Sequence, residues 1–388
     1  MSSSRRNRTG LGRRQFIGGT VSAGTLIGLG CGPGTTTSAD RPGSPSPVPP
    51  PAQPTAPAVI TADGMRPAVP YGVQSGEVAA DRAVLWSASD RPARMLVEWS
   101  TSERFADARR IIGPSALGDS GFASKLLLSG LPADQVIFYR VRFQDLGNLK
   151  TLSEPVVGRL RTAPAPVSER RSVRLLWSGD TAGQGWGINP EWGGMRIYQA
   201  MRERRPDVFI HCGDMIYADN PIAAEVTLPD GTMWRNRILH GKHKVAETLA
   251  EFRANFQYNL LDEHVRAFNA AVPQLVQWDD HEVTNNWYPG EILADDDRYS
   301  VKSAALLAMR GRRAMFEWTP ISAPPDTPER IYRSFPYGPL VEVFRLDMRS
   351  YRGPNSTNRQ SVAGPDTAFL GAEQVTWLKQ ALRASSAR

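Results

Sequence analysis

The sequence predicts an α/β protein in two folded parts: a small all-β sandwich, then a larger domain built on a parallel sheet. Three observations carry this. From about Pro67 to Pro164, short apolar runs are separated by Gly, Pro and Asp turns, the rhythm of a sandwich. After Arg171 the rhythm changes to strand, Gly-rich loop, helix and strand within about forty residues, a βαβ unit that implies parallel strands. Finally, three polar blocks each follow an apolar run of the second part directly: Trp177-Ser178-Gly179-Asp180, His211-Cys212-Gly213-Asp214 with Tyr217, and Trp278-Asp279-Asp280-His281-Glu282. That is where ligand sites lie in parallel sheets, outside the strand C-termini.

Taken in order, the chain of 388 residues opens with a leader over residues 1–31. Arg13-Arg14-Gln15-Phe16-Ile17 precedes an apolar, Gly-rich segment running to Gly30, too short for an ordinary membrane span. A charged start and a short apolar middle make an export signal. Adjacent arginines with Phe two residues on resemble the twin-arginine type, which carries folded proteins across the membrane and suits one that acquires metal before export. The implied partner is the twin-arginine export machinery. The implied location is periplasmic, extracellular, or anchored on the outer side of the cytoplasmic membrane. Gly28-Leu29-Gly30-Cys31 is an imperfect lipobox, which makes Cys31 a candidate lipidation site and membrane tether.

Five arginines of this leader also account for most of the formal charge of +7; without them 41 basic residues face 39 acidic ones. No basic groove for nucleic acid is therefore expected. Residues 32–65, rich in Pro, Ser and Thr, read as an extended tether. The two cysteines, Cys31 and Cys212, lie in the leader and in a strand of the second domain, so no structural disulfide is expected and Cys212 reads as a small core residue.

The first folded domain, residues 66–164, is expected to hold strands at Ala83–Ser87, Arg94–Ser100, Lys125–Gly130, Val136–Phe143 and Val156–Arg161. It contains no cluster of His, Cys or paired acids and reads as a structural cap. In the second, residues 171–388, strands are expected at Val173–Trp177, Val208–Cys212 and Leu275–Trp278, with a further strand of the same sheet over Leu340–Leu346 that ends in Asp347 and Arg349. Helices are expected over about Gly194–Arg204, Lys244–Asn259, Glu263–Ala270 and Gln374–Leu382.

Hard oxygen and nitrogen donors gathered at neighbouring strand ends suit two metal ions, which together clamp the attacking and leaving oxygens of a phosphate ester. Asp180, Asp214 and Asp280 are candidate metal ligands, with Asp214 placed to bridge. Tyr217, three residues after Asp214, can bring a phenolate to the same ion, a donor that favours ferric iron. His281 can ligate, or can protonate the leaving alkoxide. Asn285 and Asn286 are candidates to hydrogen-bond phosphate, and Arg349 and Arg352 to pair with its oxygens. His240 and His243 sit in a basic stretch and read as solvated.

At these motifs the chain resembles the PhoD-type alkaline phosphatase and phosphodiesterase family of calcineurin-like metallophosphoesterases. The resemblance rests on Tyr71-Gly72-Val73-Gln74-Ser75-Gly76 with Val84-Leu85-Trp86, on Gly213-Asp214-Met215-Ile216-Tyr217, on Trp278 through Asn286, on Leu346 through Arg352, and on Leu370-Gly371-Ala372-Glu373-Gln374 with Trp377-Leu378. It covers nearly everything after residue 66. It implies a metallophosphoesterase β-sandwich flanked by helices, preceded by a fibronectin- or Ig-like domain. It also implies a secreted hydrolase of phosphate mono- or diesters that uses iron and calcium, with Asp214, Tyr217 and Asp280 as ligands.

Two departures stand out. Some members of the family carry a metal-binding Cys in the first block, where this chain has Ser178-Gly179-Asp180. The family also continues past the helix around Gln374 to a late Gly-Asp-x-His-type block, whereas no histidine follows His281 here. The expectation is a C-terminally incomplete chain whose reading frame continues. The rival readings are a phosphodiesterase for phospholipid or teichoic-acid-like polymers, and a surface-tethered binding module or decayed enzyme of the same fold.

Overall fold

A computed structural model describes residues 62–167, 171–182, 186–357 and 359–387. The leader, Cys31 and nearly all of the tether lie outside the described residues. The N-terminal part forms β1 (Val73–Gly76), β2 (Arg82–Ala88), β3 (Ala93–Ser100), β4 (Arg109–Ala116), β5 (Ala123–Ser129), β6 (Val136–Asp145) and β7 (Val156–Arg161). Alternation dictates which faces are inward. Ile137, Tyr139, Val141 and Phe143 of β6 are buried, as are Met95, Val97 and Trp99 of β3. They meet Val73, Leu85 and Leu128 in one core. The sheet β4-β3-β6-β7 thus faces the strands β5-β2-β1.

That second sheet does not stop at β1. The C-terminal part adds β8 (Leu175–Ser178), α1 (Arg196–Glu203), β9 (Val208–His211), a hairpin of β10 (Glu225–Thr227) and β11 (Met233–Arg235), α2 (Leu249–Asn259), α3 (Glu263–Ala271) and β12 (Gln274–Val276). Strands β12, β9 and β8 are parallel, and β1 pairs in parallel with β12, giving one six-stranded sheet, β5-β2-β1-β12-β9-β8. Gly76 makes the junction. It lies opposite Gln274, and a Cβ there would sit 2.7 Å from the carbonyl oxygens of both Gln274 and Pro320. Helix α2 starts at Leu249 rather than Lys244 because Thr248 and Glu251 form a capping box. Asp262 caps α3.

The chain ends with α4 (Ala304–Trp318), β13 (Arg333–Tyr337), β14 (Val341–Arg345) and α5 (Ala372–Ala384). The strand expected over Leu340–Leu346 forms as β14, but it does not extend the parallel sheet: it pairs antiparallel with β13. This hairpin lays Tyr337, Val341 and Val343 against Val208, Leu275 and Ile210, covering the face of the parallel sheet. Two further expectations are corrected. The strand expected at Val173–Trp177 forms as β8 at Leu175–Ser178, on the sheet edge, where Trp177 is 72% exposed. Cys212 lies past the end of β9 and is exposed. His240 and His243 are both exposed, as expected.

Candidate metal centre

The registers Ser178↔His211 and His211↔Val276 align the C-terminal ends of β8, β9 and β12. Three loops therefore leave the sheet side by side. Backbone bonds stitch the first two together: Asp180 N–H donates to Gly213 O at 3.1 Å and Thr181 N–H to Asp214 O at 2.8 Å. Asp180 (φ 59°) and Asp214 (φ 53°) both take the left-handed conformation, uncommon outside glycine. At Gly213, φ is 109° and a Cβ would lie 2.5 Å from Asp279 Cβ, so the second and third loops pass within backbone contact.

Glu282 ties those two loops together. Fully buried, its carboxylate accepts N–H groups from Asp214 at 3.2 Å, from Asp279 at 2.8 Å and from Met215. Burial pushes this carboxyl up to about 8, although the N–H bonds pull the other way.

Above this clamp, Asp214, Asp280 and His281 each offer a ligand atom, all within 4.8 Å of one another. His281 N–H donates to Asp214 Oδ1 at 3.2 Å, and Asn286 N–H to Asp280 Oδ2 at 2.5 Å. Burial, with the charges of Asp280 and Asp279, lifts the Asp214 carboxyl to about 6 against the pull of His281. Tyr217 OH donates to Asp180 Oδ1 at 2.5 Å, and its ring lies 4.5 Å from that of His281. Burial, that bond and the surrounding carboxylates hold the phenol well above its ordinary range. A phenolate forms here only where a cation replaces the proton.

The donor set of carboxylates, one phenol and one imidazole, crowded enough to raise its own acids, fits hard cations. Asp214, Asp280, Tyr217 and Asp180 are the residues that would hold them.

His281 is oriented by a residue that the sequence did not single out. Asp219, buried five positions after Asp214, lies 2.8 and 3.0 Å from His281 Nδ1 through its two oxygens and also accepts Asn285 N–H at 2.9 Å. Burial works against the imidazolium, but Asp219, helped by Asp280 and Asp214, wins and lifts His281 to about 9. With Nδ1 engaged, Nε2 is left for an ion or a proton transfer.

Arg349 is anchored in the site: Nε donates to Asp279 at 2.6 Å, and Nη2 lies 3.4 Å from Asp280 Oδ1. Asp347 sets it there by accepting the N–H groups of Arg349 and Ser350 and the Trp278 indole N–H at 2.9 Å. Arg352 is further out, bonded to Asn355, which in turn donates to Asn286 O. Arg349 Nη1 and Arg352 Nε are buried with no partner among the described residues. Asn285 and Asn286 enter the network through their backbones.

The profile of the family described as PhoD-like phosphatase matches residues 175–388, and that of the PhoD-like phosphatase N-terminal domain matches residues 54–164. Alkaline phosphatase D of Bacillus subtilis (strain 168) is 28% identical over 339 residues, 81% of this chain and 54% of that protein. A solved structure described as "Structure of PhoD" superposes with a TM-score of 0.66 at 26% identity, covering 82% of this chain and 60% of the other. The chain thus spans about half the length of the relative it matches.

Proposed function

We propose that this chain, which belongs to the PhoD-like phosphatase family, is an exported metal-dependent phosphoesterase that hydrolyses phosphate mono- or diesters at a binuclear centre. The observation that carries this is the convergence of Asp214, Asp280 and His281 within 4.8 Å, beside the Tyr217–Asp180 pair. Bound ions supply Lewis acidity to the phosphoryl oxygens and compensate the charge of the transferring group. The family resemblance favours iron and calcium for them.

The chain's own groups do the rest. The free N–H groups of Arg349 and Arg352 meet phosphate oxygens, and Arg349 is held in place by Asp279 and Asp347. His281, oriented by Asp219 through Nδ1, is placed to give an Nε2 proton to the leaving alkoxide. Export by the twin-arginine route and tethering through Cys31 are supported by the leader's sequence, with Arg13 and Arg14 as the recognised pair.

The test uses the full-length protein. Metal content is measured together with hydrolysis of 4-nitrophenyl phosphate and of bis(4-nitrophenyl) phosphate. Asp214→Asn is expected to lose both ion content and activity. Undiminished metal in that variant would overturn the assignment.

A further inference from the structure

Beside Tyr217 lies a partly open cavity of about 180 Å³, lined by Thr181, Tyr217, Asn220, Ile222, Lys242 and Asn259 among others. Lys242 is the unusual member. Its side chain is buried, at 5% exposure, and its ammonium donates to Tyr217 O at 2.6 Å and Asn220 O at 2.9 Å. An ammonium has three N–H donors. The third finds no acceptor among the described residues, and no carboxylate there lies within ion-pair distance. The acid whose charge it feels, Asp219, is committed to His281 and to Asn285 N–H. Burial pushes this ammonium down to about 7 against the pull of Asp219, and an anion seated in the cavity is what would keep its charge and meet its third N–H. The space beside it amounts to roughly six waters of liquid volume, enough for a phosphate or carboxylate group. Tyr217 connects the cavity to the chemistry: its carbonyl holds Lys242 while its phenol holds Asp180.

We propose that this cavity is an anion subsite that takes a second negatively charged oxygen group, phosphate or carboxylate, carried by the substrate on the Tyr217 side of the reacting ester. The substrate class is therefore an ester with at least two anionic groups a few atoms apart. The inference rests on the phosphoesterase reading above, and its test separates the two.

In the first arm, full-length protein stripped of metal with a chelator is titrated with inorganic phosphate by equilibrium dialysis. Wild type binds, while Lys242→Met and Ile222→Trp, which fills the cavity and keeps the lysine, each weaken binding about tenfold or more, the worth of one charge-assisted hydrogen bond. Wild-type binding no tighter than that of the variants overturns the subsite. In the second arm, the metal-loaded protein is given propyl phosphate and propane-1,3-diyl bisphosphate. The ratio of kcat/KM favours the bisphosphate in wild type and falls about tenfold in both variants. Equal loss on both esters reduces Lys242 to a cap on two carbonyls and overturns the proposal. Phosphate binding without bisphosphate preference assigns the cavity to free phosphate and overturns its link to substrate. Phosphate binding with no hydrolysis of either ester overturns the phosphoesterase reading while upholding the anion site.

Discussion

Replacing Asp219 with Asn tests the logic of the centre at one atom. The carboxylate lies 2.8 Å from His281 Nδ1 and is the main force that raises this imidazole to about 9 from an ordinary 6.5. An amide of the same shape keeps the packing and the bond to Asn285 N–H, but removes the charge. Removing that charge takes away the group that holds and orients the proton on His281, so turnover of an ester with a poor leaving group should fall by roughly ten- to a hundredfold, the worth of a positioned general acid. The assay is kcat against pH for two monoesters, one with an alkyl alcohol and one with nitrophenolate as leaving group. The basic limb of the alkyl ester should move to lower pH, because the carboxylate that favours the imidazolium is gone. The nitrophenyl ester, whose leaving group needs little protonation, should lose far less. Equal losses on both esters, or an unmoved basic limb, would refute the general-acid reasoning and leave His281 as an ion ligand.

Gly213→Ala should destabilise the protein and scatter the site, because its Cβ would lie 2.5 Å from Asp279 Cβ and 2.7 Å from Asp279 N; an unchanged melting temperature would show that the loops are not in contact. In metal-free protein, stability should fall as pH rises from about 5 to 9. Asp214 (raised from 3.8 to about 6), Glu282 (from 4.5 to about 8) and His281 (from 6.5 to about 9) all hold protons more tightly folded than unfolded, so the stabilisation is complete below the unfolded values and lost as pH climbs through the folded ones. A flat melting curve over that window in chelator counts against this account. Arg13→Lys with Arg14→Lys should block export, since charge is kept but the guanidinium pair is gone; normal export would show a different route.

What was legible in the sequence was local. An apolar run followed at once by Asp180, by Asp214 or by Asp280 and His281 signals a strand end with polar groups beyond it, and β8, β9 and β12 deliver all three blocks to one edge. What was not legible depends on contacts far along the chain. Val73-Gln74-Ser75-Gly76 is too short and polar to announce a strand, yet β1 joins the two parts of the sheet because it pairs with β12 about two hundred residues later. β4 was hidden by Gly113 and Pro114, which an edge strand with a bulge tolerates. α4 was masked by Arg310, Arg312 and Arg313, although Leu307, Gly311, Ala314 and Trp318 follow a helical period into the core. Asp219 looks like any other acid in a loop, and Glu282 and Asp347 stand in the motifs without a role that the sequence assigns. Only the fold shows that each turns inward to hold backbone N–H groups or His281.

The same loops explain why the proposed ligands are aspartates. At positions 180 and 214 the chain needs a positive φ, so that Asp180 N–H can reach Gly213 O and Asp214 N–H can reach Glu282 while the Asp214 carboxylate accepts from His281 N–H. Glycine tolerates that backbone but brings no oxygen; branched or long side chains bring strain of about 1–2 kcal/mol. Asp and Asn are the residues that do both, and Asn286, bonded through its N–H to Asp280, sits in the same region at φ 55°. Asparagine at 214 therefore preserves the turn and the bond to Glu282, so loss of metal in Asp214→Asn reports the missing charge. Alanine at 214 would remove charge and disfavour the turn together. The ligand and its backbone geometry are thus one choice of residue, and Glu282, holding three N–H groups from two loops, is what fixes that choice in place.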